Sequence, residues 1–256
     1  MKIFAVSDLH TDFIDNWKHL QSVTDDSFKD ELLIIAGDIA DKLETIETTL
    51  EFLKGKFKYV SYVPGNHEMW IRKSKIDSIE KFNKILNICQ DLDVITKPVN
   101  FNNVWIVPLY SWYVTSNINE KIKEDKYLSF WMDFHLCKWG EKEESVAEYF
   151  LEINQKSIRS VKGKVISFSH FLPTEKLLPD LSYSKFKGLR YVSVCPGLME
   201  QINQIGSFIH IYGHTHINRE SFIGNTKYIQ NAFRYPRERR NNKFEFKMIY
   251  ETKEKD

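Results

Sequence analysis

Five short clusters of metal-ligating residue types punctuate this chain, each directly after a run of β-favouring residues. They are Asp8-Leu9-His10, Gly37-Asp38-Ile39-Ala40-Asp41, Gly65-Asn66-His67-Glu68, His170 and Gly213-His214-Thr215-His216. That placement constrains the fold, because open α/β sheets gather their ligand crevices beyond the carboxyl ends of the strands. The donors are carboxylate, amide and imidazole groups, with no thiolate among them. Such a set suits divalent Mn, Fe or Zn better than a Cys-type structural zinc site.

Composition narrows the setting. A chain of 256 residues with 42% hydrophobic and 14% aromatic content buries a substantial core and is not disordered. Lys+Arg 36 against Asp+Glu 35 leaves a net charge of +1, so bulk charge gives no reason to expect a nucleic-acid or membrane partner. Cys89, Cys137 and Cys195 are widely spaced and form no CxxC pair, which points to a reducing, cytoplasmic setting. The apolar start, Ile3 to Val6, is too short for a signal-peptide core. No apolar run approaches the roughly 20 residues of a spanning helix.

Strands are expected at Lys2–Val6, Leu32–Ala36, Lys58–Val63, Val104–Pro108, Lys164–Phe168 and Ser207–Tyr212, short and apolar on both faces as in buried sheets. Helical spacing runs through Leu43–Lys54, Arg72–Gln90 and Glu141–Ser160. The alternation predicts an α/β domain over residues 1–256. Arg219–Phe222, Thr226–Ile229 and Phe244–Tyr250 read as antiparallel strands completing a second sheet, with Gly224-Asn225 as a turn. Two stretches break the pattern. Leu109–Gly140 is crowded with aromatics and is either a cap over substrate or a satellite hydrophobic cluster; Leu172–Gly197 carries three prolines.

Each cluster alone is a weak signal. Asp8 and His10, two apart at a strand end, are expected on one side of the chain. Gly37 lets the backbone turn so that Asp38 reaches the crevice. A lone histidine such as His170 is more often structural than a ligand, whereas Gly-His-Thr-His is harder to dismiss. Taken together, in this order, the clusters resemble the calcineurin-like metallophosphoesterase family, whose pattern is Asp-x-His, Gly-Asp-x-x-Asp, Gly-Asn-His-Asp/Glu, a single His and Gly-His-x-His. The whole pattern is present between Asp8 and His216.

The resemblance implies a four-layer α/β/β/α sandwich with two mixed sheets and a binuclear metal site at strand carboxyl ends. It implies two divalent metal ions bridged by Asp38, one held by Asp8, His10 and His216, its neighbour by Asn66, His170 and His214. A hydroxide between the ions would attack phosphorus. His67 matches the general acid, and Asp41 matches the carboxylate that orients it and raises its pKa.

Departures from the family pattern also matter. Thr11-Asp12 stands where many members have Gly, so the first loop is expected to run differently, and Asp12 is either an orienter of a ligand or a solvated carboxylate. Lys42-Leu43 after Asp41, together with the Gly-His-x-His ending, argues against a Ser/Thr protein phosphatase. Glu68 is expected to brace its loop by hydrogen bonds. Arg234 or Arg237, followed by Arg239 and Arg240, either binds the substrate phosphate or forms a solvated face. Lys138, Lys185, Lys187 and Arg190 are further candidates for meeting an anion, and His19, His135 and His210 are expected to be structural. The reading is a hydrolase of phosphate esters, preferring a small phosphomonoester or nucleotide-like phosphodiester. Its rivals are a nuclease, which the charge balance does not favour, and a non-catalytic metal-bound interaction scaffold.

Overall fold

The computed structural model describes the chain apart from residues 73–74, 115–117, 126, 143–144, 182–185, 240–243 and 253–256. Lys185 and Arg240 therefore lie outside the described residues. Ten strands form two sheets: β1 Lys2–Val6, β2 Leu32–Ala36, β3 Tyr59–Val63, β4 Val99–Phe101, β5 Val104–Pro108, β6 Lys164–Phe168, β7 Ser207–Tyr212, β8 Arg219–Ile223, β9 Thr226–Gln230 and β10 Lys247–Glu251. The helices are α1 Ile14–Val23, α2 Leu43–Lys54, α3 Asn66–Met69, α4 Ser78–Asp91, α5 Ile118–Glu124, α6 Asp133–Leu136, α7 Val146–Ser157, α8 Gly197–Gln204 and α9 Pro236–Arg239.

One sheet has the order β10-β1-β2-β3 and the other β4-β5-β6-β7-β9-β8. Both are mixed: the first is parallel except for antiparallel β10 at one edge, and the second has a parallel interior with antiparallel β4 and β8 at its two edges. Leu32 to Ala36 of β2 are buried without exception, as a strand covered on both faces requires. β3 meets β5 between the sheets, α2 packs with α4 and β3 on one outer face, and α8 packs with α7 and β7 on the other. These are the α/β/β/α layers.

The final strand corrects the sequence reading. β8 and β9 pair as an antiparallel hairpin around Gly224 at φ +59°, but β10 leaves that sheet and pairs antiparallel with β1. Aromatic packing accounts for the exchange. Phe246 meets Phe28 and Phe57 at ring-centroid distances of 5.5 and 5.4 Å, and Phe244 meets Phe233 at 4.6 Å. The chain thus re-enters beside β1.

Helix boundaries shift too. The helix expected from Arg72 begins at Ser78, where the Asp77 carboxylate caps the Glu80 N–H at 2.7 Å. The one expected over Glu141–Ser160 spans Val146–Ser157. Helix α1 was not anticipated: it buries only Asn16 and Leu20, too narrow a stripe to read as a period.

The aromatic excursion after β5 has a dry inner side and a wet rim. Trp112, Tyr113, Leu128 and Trp139 are buried, whereas Tyr127, Phe130 and Met132 are exposed. A polar clip ties its start to the helical layer. Asn154 of α7 accepts from Tyr110 N–H at 2.9 Å and donates to Tyr110 C=O at 2.7 Å and to Gln201 Oε1 at 3.0 Å. Replacing Asn154 by Leu leaves both Tyr110 backbone groups unpaired in the core. The expected cost is about 2–4 kcal/mol, read as a lower urea midpoint with unchanged slope.

Candidate metal centre

The parallel strands β1, β2, β3, β6 and β7 all deliver their ligand clusters to one edge, where the two sheets join. Beyond β1 the chain is stitched to the segment after β9. Ser7 N–H bonds Asn231 C=O at 3.0 Å, Phe233 N–H bonds Ser7 C=O at 2.8 Å, and Arg234 N–H bonds Asp8 C=O at 3.0 Å. The side chains of Asp8, His10, Asp38, Asn66, His170, His214 and His216 meet at this seam, nearly all of them buried.

Backbone conformation aims them. Asp8, His10, Asp38, His214 and His216 have φ of 54°, 45°, 57°, 73° and 57°. This left-handed region is uncommon for residues with a Cβ and collects at functional sites. Asp8 and His10 are therefore not turned inward by strand alternation, as the sequence suggested, but by two left-handed residues past the strand. Two glycines allow the close approach. A Cβ on Gly37 would lie 2.3 Å from His170 Nδ1, and one on Gly65 would lie 2.2 Å from Asp38 Oδ1. Thr11 does not break the first loop. It is buried, and its Oγ1 bonds Ile39 C=O at 3.1 Å and Thr49 Oγ1 at 2.8 Å.

Two sub-clusters share Asp38. His10 Nε2 is 3.1 Å from His216 Nε2, which is 3.4 Å from Asp8 Oδ1. Across the site, Asn66 Oδ1 lies 3.0 Å from His170 Nε2 and 3.1 Å from His214 Nδ1, and the two imidazole nitrogens are 3.2 Å apart. Asp38 Oδ2 lies between the sub-clusters, 3.5 Å from His170 Nε2 and 4.0 Å from His10 Nε2.

The donor set fits cations. His170 places Nδ1 3.0 Å from Ala36 C=O, and His216 places Nδ1 2.7 Å from Glu238 Oε2. Both ring protons are thereby directed outward, leaving the inner Nε2 lone pairs aimed into the cluster. His10 Nδ1 and His214 Nε2 are buried with no partner among the described residues. Burial, with Glu68 and Asp8 nearby, pushes the Asp38 carboxyl well up. Burial and its imidazole neighbours, His170 foremost, push His214 well down. For His216, burial is outweighed by Asp8 and Glu238, which lift the imidazole to about 9, so without a cation its Nε2 carries a proton toward Asp8 that a bound cation would displace. Asp8–His10–His216, His10–Asp38–His67 and Asp8–Asp38–His170 each bring ligand atoms within 4.8 Å of one another. Facing lone pairs and buried carboxylates are relieved together by cations placed among them.

Around this core stand bracing residues. Buried Glu68 accepts from the N–H groups of Asp38, Ile39 and Gly65 at 3.1, 2.5 and 2.7 Å, holding two ligand loops together. His67 is treated differently from expectation. Its Nε2 is 3.1 Å from the Tyr235 hydroxyl, and its ring lies against Trp70 at 3.7 Å. The Asp41 carboxylate instead pairs with Arg72 Nε. Nor is the His67 pKa raised: burial, then His170 and His216, push it well down.

Trp70, Asp133, Tyr235 and Glu238 are functional neighbours that the sequence reading passed over. Tyr235 and Glu238 sit beside Arg234 and Arg237, the residues singled out for their charge. Arg234 contributes its backbone, at φ +73°, with its C=O held by Asn16 Nδ2 at 2.9 Å. The Arg237 guanidinium lies over the Tyr235 ring at 5.7 Å, while Arg239 meets Asn16 Oδ1 and the Phe233 ring. Asp12 is exposed. Lys187 and Arg190 line a cavity of about 350 Å³ with Glu175 and Asp180, and none of the seven clustered residues is in its wall. His210, expected to be structural, is buried between Ser167 Oγ at 2.8 Å and Ser169 Oγ at 3.1 Å, with its pKa pushed down by burial to about 3.

The model of the calcineurin-like phosphoesterase family matches residues 1–218. This chain belongs to that family. Its family is one of phosphoesterases, and its clustered Asp and His residues could hold metal ions. The chain is 33% identical over 129 residues to an [acyl-carrier-protein] phosphodiesterase, PptH, of Mycobacterium tuberculosis; the match takes up 46% of this chain and 39% of that protein. Its fold is also similar to the crystal structure of phosphopantetheinyl hydrolase PptH from Mycobacterium tuberculosis, at a TM-score of 0.79 and 22% identity, covering 94% of this chain and 92% of that one. No helix among the described residues is long and apolar enough to cross a membrane.

The glycine contacts generate a test. Gly37→Ala forces a Cβ into the His170 ring, so manganese bound per chain, measured after gel filtration, should fall, and turnover should drop at least about tenfold.

Proposed function

We propose that this chain is a phosphodiesterase working with two divalent cations, one held by Asp8, His10 and His216 and the other by Asn66, His170 and His214, with Asp38 shared. The observation that carries this reading is the convergence of these seven side chains in two sub-clusters joined at the Asp38 carboxylate. When bound, the cations supply Lewis acidity toward a phosphoryl oxygen and lower the pKa of water at the site.

The chain's own residues position and protonate. His67 Nε2 is the proton donor to the departing ester oxygen; because burial and its imidazole neighbours push its pKa down, the ring once protonated gives that proton up readily. Its imidazole is held on one side by the Trp70 ring and at Nε2 by the Tyr235 hydroxyl, with Arg72 over the outer part of Trp70 at 5.6 Å. Asp41 acts one step further out, by fixing Arg72. Arg234 and Arg237 are secondary candidates for meeting phosphate, because Arg237 lies over Tyr235 at the rim.

Similarity to an acyl-carrier-protein phosphodiesterase supports a diester over a monoester. The substrate class to test first is the phosphodiester joining a phosphopantetheinyl group to an acyl carrier protein. The exposed Tyr127, Phe130 and Met132 on the aromatic excursion offer an apolar rim to a substrate larger than a free phosphate.

With manganese, the protein should cleave bis(4-nitrophenyl) phosphate at least about tenfold faster than 4-nitrophenyl phosphate, and should release phosphopantetheine from holo acyl carrier protein, followed by mass spectrometry. Chelation should abolish both reactions; undiminished turnover in excess chelator would overturn the reading. Substituting His67→Ala should leave manganese binding intact. The variant should lose about 10²–10⁴ in turnover on alkyl diesters, which need a proton donor, and far less on nitrophenyl esters. Equal losses on both classes would remove His67 from the acid role.

A further inference from the structure

The amide of Asn66 poses an orientation problem. A carboxamide offers a cation one oxygen and one N–H2 group, and a half-turn about the last side-chain bond exchanges them. Asn66 Oδ1 faces His170 and His214, so something must hold the N–H2 on the other side.

That partner is Asp133, at the start of α6 on the aromatic excursion and only 2% exposed. Its Oδ1 accepts from Asn66 Nδ2 at 2.9 Å and from Trp70 Nε1 at 2.7 Å, and its Oδ2 accepts from Trp131 Nε1 at 2.8 Å. Tyr113 adds a further hydrogen bond. An ionised carboxylate has acceptor sites only, so it cannot pair with an inverted Asn66. Three side-chain N–H groups of fixed direction leave it one orientation. Two of the donors continue into the site: the Trp70 ring lies against His67 at 3.7 Å, and the Trp131 ring meets His214 edge-on at 5.7 Å.

We propose that Asp133 is a positioning residue that locks the Asn66 amide with its oxygen toward the cation shared with His170 and His214. The aromatic excursion is, on this view, part of the metal centre's support and not only a cover beside it. The proposal rests on the two-cation reading, and binding measurements separate the failure of either. Residues behind metal ligands typically govern affinity by 10–100-fold.

The test is a mutant cycle read by manganese binding in calorimetry and by electron paramagnetic resonance, where a coupled pair and a lone ion differ in spectrum. Wild type should bind two ions and show the coupled signal. Absence of binding in wild type would defeat the two-cation reading itself. Asp133→Ala should keep one tight ion, bind the second at least about tenfold more weakly, and give the lone-ion spectrum at low manganese. In an Asn66→Asp background both side-chain oxygens are acceptors, so no orientation needs holding. There the new carboxylate oxygen faces the Asp133 carboxylate acceptor to acceptor, so adding Asp133→Ala should leave second-ion affinity unchanged within about threefold or raise it, never lower it tenfold, the coupling a cycle isolates.

A tenfold loss in both backgrounds would mean that Asp133 merely supports the fold, and two equally tight ions in Asp133→Ala would also overturn the proposal. If alanine prevents folding, Asp133→Asn combined with Trp131→Phe decides. That pair retains an oxygen toward Asn66 and Trp70 and removes the N–H that would oppose the new amide. Second-ion affinity within about threefold of wild type supports the lock, and a tenfold loss in a folded protein excludes it.

Discussion

Two buried carboxylates, a buried amide oxygen and four imidazoles share one small volume where the sheets join. In the absence of cations this is an unfavourable arrangement: burial drives Asp38 toward its neutral form and His10 and His214 away from theirs as cations. A fold tolerates such crowding only when surrounding structure over-determines each position. The left-handed ligands, the glycines that cannot carry a Cβ, and the Glu68 carboxylate spanning three backbone N–H groups all serve that end.

The double-sheet architecture makes the crowding possible. Parallel strands deliver every ligand loop to the same edge, and the stitch between the residues after β1 and those after β9 closes the seam under them. The loops therefore brace each other, not solvent-exposed neighbours. His170 from β6 is pinned to Ala36 of β2, and the His214 N–H after β7 bonds Asp8 Oδ1 after β1 at 2.9 Å. Each ligand is held by a residue of another loop, so displacement of one is transmitted to the rest.

Much of this was legible in the sequence, for a physical reason. Ligand residues sit at strand ends, and buried strands such as Leu32–Ala36 are short, wholly apolar and bounded by glycine. The helix Leu43–Lys54 was legible to the residue because its buried stripe follows a clean period through Ile46, Leu50 and Leu53. What failed depended on contacts between distant segments. The sheet joined by β10 was decided by aromatic partners near residues 28 and 57, which no local pattern reveals. Asp133 looked like one more polar residue among aromatics, because its meaning lies in three N–H groups, two of them from Asn66 and Trp70 on another loop. The pairing of Asp41 with Arg72 was hidden likewise, since a motif fixes a residue's place in a loop and not the neighbour its side chain will find.

The reach of the family match sharpens the division of labour. It spans residues 1–218 and so contains every clustered residue from Asp8 to His216. The segment that closes the site lies beyond it. Tyr235 stacks on His10 at 4.3 Å and meets His67 Nε2, while Glu238 takes the outer nitrogen of His216 and also accepts Tyr235 N–H at 3.1 Å. One short turn thus touches His67, His10 and His216 at once. Its backbone is anchored to Asp8 and Asn16, with Arg234 in a left-handed conformation at the anchor. The matched strands deliver the clustered residues, while this turn and the aromatic excursion steady two of them through Glu238 and Asp133 and line their surroundings. Differences in ester preference between proteins that share these motifs would then reside in those positions of the turn and the excursion that do not steady the cluster, Asp133 and Glu238 being tied to Asn66 and His216.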